Sequence, residues 1–565
     1  MVQSLLRLRQ RQPKGRTMPW LGYVLLGFLP TFLISMPSNC AEQIVLTYGA
    51  LQGSVKVADI EIFAREGIIQ GDLSDYARLL QPWQREQFQR ILTTRIDLGR
   101  VAVAQFLYSP QGETLLQWLG NIIQLPSGQS GFNAIRASMI LGTDDREGLT
   151  LLNVLHKFPT QGIRIDLGRV FAVADELTRL LNQSRLAIDS IDRQARQEII
   201  EDLPINYSQL PDLQLRGKFT WQVNYLALND TSRSRNYSAR LYLPNIPSNF
   251  INGTTTTLPV VVISHGFGSG QSTFAYLAEH LASYGFVVAI PEHPGSSSTQ
   301  FKAFMAGRTA EVSSPKEFID RPLDITFLLN QMEQWLKANP IPKANVNLQE
   351  VGVIGQSFGG YTALTLAGGT INFPQLRKDC QSTMNPWNVS LLLQCIVLSL
   401  PPHDTSYGDP RVRAVIAINP VNRSVLGSKG LGTINIPVMI IGGGNDSTTP
   451  ALLEQIEPFT WLTTPNRYLA IAPRGTHFSF LGDSPDSSTV TLPSGIVGTE
   501  PFVAQRYLSA LSLAFFQVHI HRQIAYLPFL QSSYAHHISK DTMPLFLVRR
   551  FSTHDLSSAI LGINP

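Results

Sequence analysis

The sequence predicts an α/β protein: a mostly parallel sheet with helices on both faces, preceded by a small, mainly helical region. Three observations carry this. Apolar, β-branched runs at 260–263, 286–290, 412–418 and 438–441 read as strands buried on both faces. Helical patterns lie between them, over 276–284 and from Asp320-Arg321-Pro322 through Trp335. That alternation gives parallel strands joined by crossovers. The third is a strand, 351–354, that runs through Gly355-Gln356-Ser357-Phe358-Gly359-Gly360 into a helical pattern from Tyr361.

The chain has 565 residues, enough for a large domain plus another. A net charge of +4 is nearly neutral at this length and gives no footprint for nucleic acid. Neither zinc-type Cys/His spacing nor a phosphate-binding G-x-x-x-x-G-K occurs, so no metal or cofactor is expected.

The first residues read as an export signal, 1–41. Arg7, Arg9, Arg11, Lys14 and Arg16 form a basic start, and 20–36 is an uncharged apolar run. An uncleaved anchor, and hence membrane proximity, is the alternative; Pro37-Ser38-Asn39 before Cys40 matches a lipidation site poorly. The expected location is the periplasm or the extracellular space, with a thylakoid lumen or an anchored form as alternatives. Removal of this segment leaves Cys380 and Cys395, a pair in an oxidising compartment. They are expected to form a disulfide; two buried free thiols is the competing reading.

Residues 42–182 are expected to be mainly helical after two short strands near 44–48 and 55–57. Asp59 reads as a helix cap, and Ser109-Pro110 as a helix start. The heptamer Arg-Ile-Asp-Leu-Gly-Arg-Val occurs at 95–101 and again at 164–170. It is either an internal repeat or one capping solution used twice. Nothing in this region looks catalytic. Residues 183–214 are polar, with Pro204 and Pro211, and read as a linker. The catalytic region is then 215–530, and 531–565 an irregular tail.

Gly355-x-Ser357-x-Gly359 between a strand and a helix is the nucleophile-elbow pattern. Roughly a quarter of one bare match is expected by chance in a chain of this length and glycine content, so the context carries the assignment. Such a turn lifts a serine hydroxyl above the sheet edge, with free helix N–H groups beside it. Ser264-His265-Gly266-Phe267-Gly268, leaving an earlier strand, can offer the Phe267 N–H; with that of Phe358 it would form an oxyanion hole.

The elbow needs an acid at a later strand end and then a histidine in a loop. Gly442-Gly443-Gly444-Asn445-Asp446 and Gly475-Thr476-His477 supply both in that order. The end of the preceding strand is the rival position for the acid, but Asn419 stands there and carries no charge. Asp404 and Asp409 precede both strands, and Asp483 and Asp486 follow the histidine. The set is therefore Ser357, Asp446 and His477. Between elbow and acid lies an insertion, 370–410, holding Cys380, Trp387 and Leu391-Leu392-Leu393. It reads either as an apolar lid or as a buried helix under a loop.

These residues carry a resemblance. His265-Gly266-Phe267-Gly268-Ser269-Gly270, Pro291-Glu292-His293-Pro294-Gly295 and Gly355-Gln356-Ser357-Phe358-Gly359-Gly360 resemble the platelet-activating-factor acetylhydrolase and dienelactone-hydrolase branch of the α/β-hydrolases. That branch often has histidine where Gln356 stands. Ser357 departs from the cysteine nucleophile of a dienelactone hydrolase. Residues 41 to about 180 resemble an uncharacterised helical domain preceding such hydrolases in cyanobacterial proteins. The resemblance implies an α/β-hydrolase fold and a serine esterase acting on an acyl or lipid-like ester through an acyl-enzyme. An acyltransferase with the same triad, or a binding protein on a degenerate hydrolase fold, are the alternatives.

Overall fold

The structure is a computed structural model that describes residues 40–562 apart from 79, 248–255, 343, 382–386 and 483–496. The expected export segment, apart from Cys40 and Ala41, lies outside the described residues, as do Asp483 and Asp486.

Two sheets organise the chain. β1 (Gln43–Tyr48), β2 (Leu51–Lys56), β3 (Ile123–Gln124) and β4 (Gly162–Asp166) form the first, in the order β2-β1-β4-β3. Seven helices between β2 and β4 pack around Ile44, Phe63, Leu107, Leu116 and Leu152. The region is mainly helical, as expected, with a small four-stranded sheet among its helices. Ser109 caps the helix Pro110–Ile122, its Oγ accepting from the Gly112 N–H at 3.2 Å. Asp59 is not a cap: the helix Val57–Glu66 starts two residues earlier, and Asp59 accepts from Gln70 instead. The two heptamers also differ. The first enters its helix at Arg100 after an isolated bridge at Ile96; the second ends β4 at Asp166, which caps a helix starting at Leu167.

That last helix, Leu167–Glu201, overturns the expected linker. It runs unbroken through the polar stretch, and Ala187, Ile191 and Ala195 lie in the core of the second sheet. Four-residue spacing gives one narrow buried stripe on an otherwise solvated helix. Only 202–214 is largely irregular, with one short turn of helix at Tyr207–Gln209.

The second sheet has nine strands: β5 (Thr220–Asp230), β6 (Arg235–Asn245), β7 (Thr256–Ser264), β8 (Val287–Pro291), β9 (Ala344–Gln356), β10 (Val412–Ile418), β11 (Val438–Gly443), β12 (Arg467–Ala472) and β13 (Phe546–Val548). Their order is β13-β12-β11-β10-β9-β7-β8-β6-β5, with β8 through β12 parallel and β5, β6 and β13 antiparallel additions. Separate apolar clusters cover the two faces. β13 lies in the expected irregular tail, which instead holds two helices, Ser532–Ile538 and Thr553–Leu561, and an edge strand.

Register places the site. Ser264 of β7 lies opposite Gly355, and Ile418 of β10 opposite Gln356 and Ile441. The strands that carry the oxyanion turn, the elbow, Asn419 and the Asp446 turn thus end level, at their carboxyl edge, where open α/β sheets bind ligands.

The helix Glu317–Ala338 begins three residues before the expected start and contains Pro322. Proline cannot donate to the carbonyl four residues back. That carbonyl, of Phe318, accepts the Tyr361 hydroxyl at 2.9 Å instead. The break thereby joins this helix to the elbow helix, Phe358–Leu366.

Candidate active site

Ser357 sits at the end of β9 with φ 56° and ψ −116°, a backbone position few non-glycine residues adopt. Its N–H donates to the Ile418 carbonyl at 2.8 Å. The flanking glycines are required by space. A Cβ on Gly355 would collide with the carbonyl oxygen of Gly359, and one on Gly359 with that of Ser264. The elbow therefore presses directly on the oxyanion turn.

His477 follows β12 and is buried. Its Nδ1 lies 2.7 Å from Asp446 Oδ2. Asp446 accepts at Oδ1 from the N–H groups of Thr448 and Thr449, each at 2.7 Å. At Oδ2 it also accepts from Asn419 Nδ2 at 2.6 Å and from the Thr449 hydroxyl at 2.7 Å. The carboxylate is held from every side, so imidazole and acid have one mutual orientation. Gln356 Nε2 stands 3.3 Å from His477 Nε2 and donates to the His477 carbonyl at 3.3 Å. The Ser357 hydroxyl has no hydrogen-bond partner among the described residues.

Phe358 is the first residue of its helix, so its N–H has no intrahelical acceptor. The Phe267 N–H likewise makes no backbone hydrogen bond among the described residues. His265 does not face the pocket: it is buried, its Nδ1 on the Gly266 carbonyl at 2.8 Å. Gly266 packs against the Gln356 side chain, where a Cβ would strike Oε1.

Behind this turn lies a network the sequence did not reveal. Fully buried Arg321 donates to the His265 carbonyl, to Ser264 Oγ (3.2 Å), to Ser296 Oγ (2.6 Å) and to Thr362 Oγ1 (3.1 Å). Its guanidinium also lies 4.6 Å from the Phe358 ring centroid. One side chain therefore ties both would-be oxyanion donors together. Burial pushes its pKa down to about 10. His293 bridges Ser264 Oγ and Asp324 Oδ2, each at 3.0 Å. These three repeat the residue types of the first set but are fully buried and do not line the cavity at Ser357, and Arg235 clamps Asp324. Burial, then the Arg321 charge, hold His265 and His293 well below the usual imidazole range.

A cavity of about 250 Å³ opens on Ser357 and His477. Phe267, Leu392, Leu393, Val421 and Phe478 give it an apolar lining. Leu392 and Leu393 come from the insertion, which buried Glu454 anchors by accepting from Asn388, Ser390 and Gln394. Cys380 and Cys395 are disulfide-bonded, their Cα atoms 5.7 Å apart, tying together the insertion's two halves. The pocket also includes Phe106 and Gln111 from the first region, which sequence reasoning left without a role at the site. Nothing local marks them, because their position depends on how two separate sheets dock. Among the described residues no cluster of His, Cys, Asp and Glu could hold a metal ion.

Comparison with known proteins finds matches over parts of the chain. Residues 239–322 match the family described as "Platelet-activating factor acetylhydrolase, isoform II". Residues 40–166 match a family described as "Alpha/beta hydrolase of unknown function (DUF1400)". That match lies on the first sheet and its helices and assigns no chemistry to them. A platelet-activating factor acetylhydrolase of Cavia porcellus is 23% identical over 234 residues, covering 31% of this chain and 52% of that protein. The chain therefore spans about half the length of this curated relative. The mostly parallel sheet flanked by helices is an α/β-hydrolase fold, and over parts of its length the chain is similar to the platelet-activating factor acetylhydrolases.

Proposed function

We propose that this protein is an exported serine hydrolase that cleaves carboxylic esters of acyl or lipid-like character. The observation that carries the reading is the His477–Asp446 pair at 2.7 Å, beside a serine held at φ 56°. In the reaction, His477 Nε2 takes the Ser357 proton as the hydroxyl oxygen attacks the ester carbonyl. Asp446 keeps the other proton on Nδ1 and stabilises the imidazolium. The N–H groups of Phe267 and Phe358 receive the oxyanion. The alcohol leaves with the proton from His477, and water then releases the acyl group by the same steps. Hydrogen bonds of this kind often tighten only with substrate bound, which fits a Ser357 hydroxyl that lacks a partner. The apolar cavity supports an acyl group; at ~30 Å³ per water-sized group it holds roughly eight non-hydrogen atoms. The disulfide supports an oxidising compartment. No helix among the described residues is long and apolar enough to cross a membrane, so membrane proximity through the N-terminal segment remains part of the proposal. A fluorophosphonate probe should label the protein and fail to label Ser357→Ala. Labelling that survives this substitution would overturn the assignment. Release of free acid rather than acyl transfer to an added alcohol separates hydrolase from transferase.

A further inference from the structure

The wall of the cavity opposite the sheet does not come from the hydrolase strands. Phe106 lies on the helix Arg100–Leu107 and Gln111 on Pro110–Ile122, both belonging to the region built on the first sheet. They are held there by real packing. The helix Arg100–Leu107 meets Ser298–Met305, and Pro110–Ile122 meets Leu391–Gln394 of the insertion. Trp387 Nε1 donates to the Val173 carbonyl at 3.0 Å, tying the insertion to the long helix.

Among the polar members of the cavity lining are Gln111 of this wall and Ser313, which lies in the loop before the helix Glu317–Ala338. Gln111 lines the cavity and is only 8% exposed. Ser313 is 3% exposed, and its Oγ has no hydrogen-bond partner among the described residues. Buried polar groups are nearly always paired, so an unpaired one lining a cavity, with a second polar side chain on the same lining, points to a ligand. A phenyl ring at the same wall limits how far an apolar group can reach.

We propose that the N-terminal region supplies the specificity wall of the pocket: Phe106 sets the size of the bound group, and Gln111 with Ser313 recognises a hydrogen-bonding oxygen on it. The preferred substrate is then an ester whose bound group is compact and apolar but carries one hydroxyl, ether or carbonyl oxygen. This rests on the reading of Ser357 as nucleophile.

The test uses the full chain, with active serines counted by fluorophosphonate titration in each variant. Wild type, Phe106→Leu and Phe106→Ala are compared on p-nitrophenyl butyrate and p-nitrophenyl decanoate. The ratio of kcat/KM for the longer to the shorter ester should rise in steps, by about tenfold or more in Phe106→Ala. Gln111→Leu is compared on p-nitrophenyl 3-hydroxybutyrate and p-nitrophenyl butyrate, and should lose a several-fold preference for the hydroxylated ester. Chain-length ratios that stay fixed in both Phe106 variants, with serines still titrating, overturn the proposal while leaving the nucleophile intact. An unchanged hydroxyl preference in Gln111→Leu overturns its polar half. Failure of the wild type to titrate at all would instead strike at Ser357.

Discussion

Asn419 donates its amide to Asp446 Oδ2 at 2.6 Å, from a buried backbone position with φ 43°. The residue at the end of β10 thus supports the carboxylate carried after β11. The acid and its rival position are neighbours, one charged and one neutral. Asp446→Asn should keep the geometry but favour the wrong imidazole tautomer, lowering kcat by a factor on the order of 10⁴. Asn419→Ala should cost far less, because four other donors remain on the carboxylate. The reverse ranking in steady-state kinetics would show that Asp446 is not the orienting acid.

Arg321→Lys tests the tie between the two oxyanion donors. Lysine keeps the charge but loses the planar fork that reaches His265, Ser264, Ser296 and Thr362 together. Loss of one oxyanion donor costs about 10²–10³ in kcat, and misalignment should cost a large part of that. KM should change little, since the oxyanion exists only in the transition state. A variant raised in KM with normal kcat would show that Arg321 shapes the pocket rather than the turn.

Cys380→Ser with Cys395→Ser opens a loop of 15 residues. The chain-entropy model gives a loss of about 3 kcal/mol, readable as a lower denaturant midpoint. Equal midpoints for the variant and the oxidised wild type would show that the surrounding contacts alone hold the insertion.

Acid should destabilise the fold. Burial holds His265 and His293 well below the ordinary imidazole value, and pushes His280 and His519 down to about 4. Folded values below the unfolded one of about 6.5 mean that the unfolded chain binds more protons. Their contribution is complete above that pH and falls as pH drops through it, by about 1.4 kcal/mol per pH unit for each imidazole. Buried Asp324 and Glu292, shifted upward by desolvation, act in the opposite sense, but they are two groups against five imidazoles once His521 is counted. A melting temperature that stays level from about pH 7.5 to about pH 5 would contradict this.

What the sequence made legible was local. Ser357, Asp446 and His477 are separated along the chain, yet each follows a strand whose apolar run is unmistakable, and parallel strands bring their ends to one edge. The disulfide followed from a count of cysteines. What stayed hidden depends on docking. Arg321 reads only as part of a helix start, and its partners at the end of β7 and in the turn after it lie far away in sequence. The part of the helix Leu167–Glu201 from 183 onward reads as a linker because one residue per turn is enough to bury it. β13 is three residues long and gains its place only from β12.

That long helix sets how the pocket wall can move. At about 1.5 Å per residue, its 35 residues form a rod roughly 50 Å long. One end continues β4. Near the other, Glu198 accepts from the backbone N–H groups of Arg549 and Arg550 beside β13 and from Ser532. The roof over Ser357 is therefore cantilevered from the far edge of the catalytic sheet. A fragment starting near Leu215 would lose more than a roof. It would strip Ala187, Ile191 and Ala195 from the main core and leave Arg549 without the carboxylates of Glu198 and Asp202. The two halves are separable on paper at the polar stretch, but mechanically they are one piece.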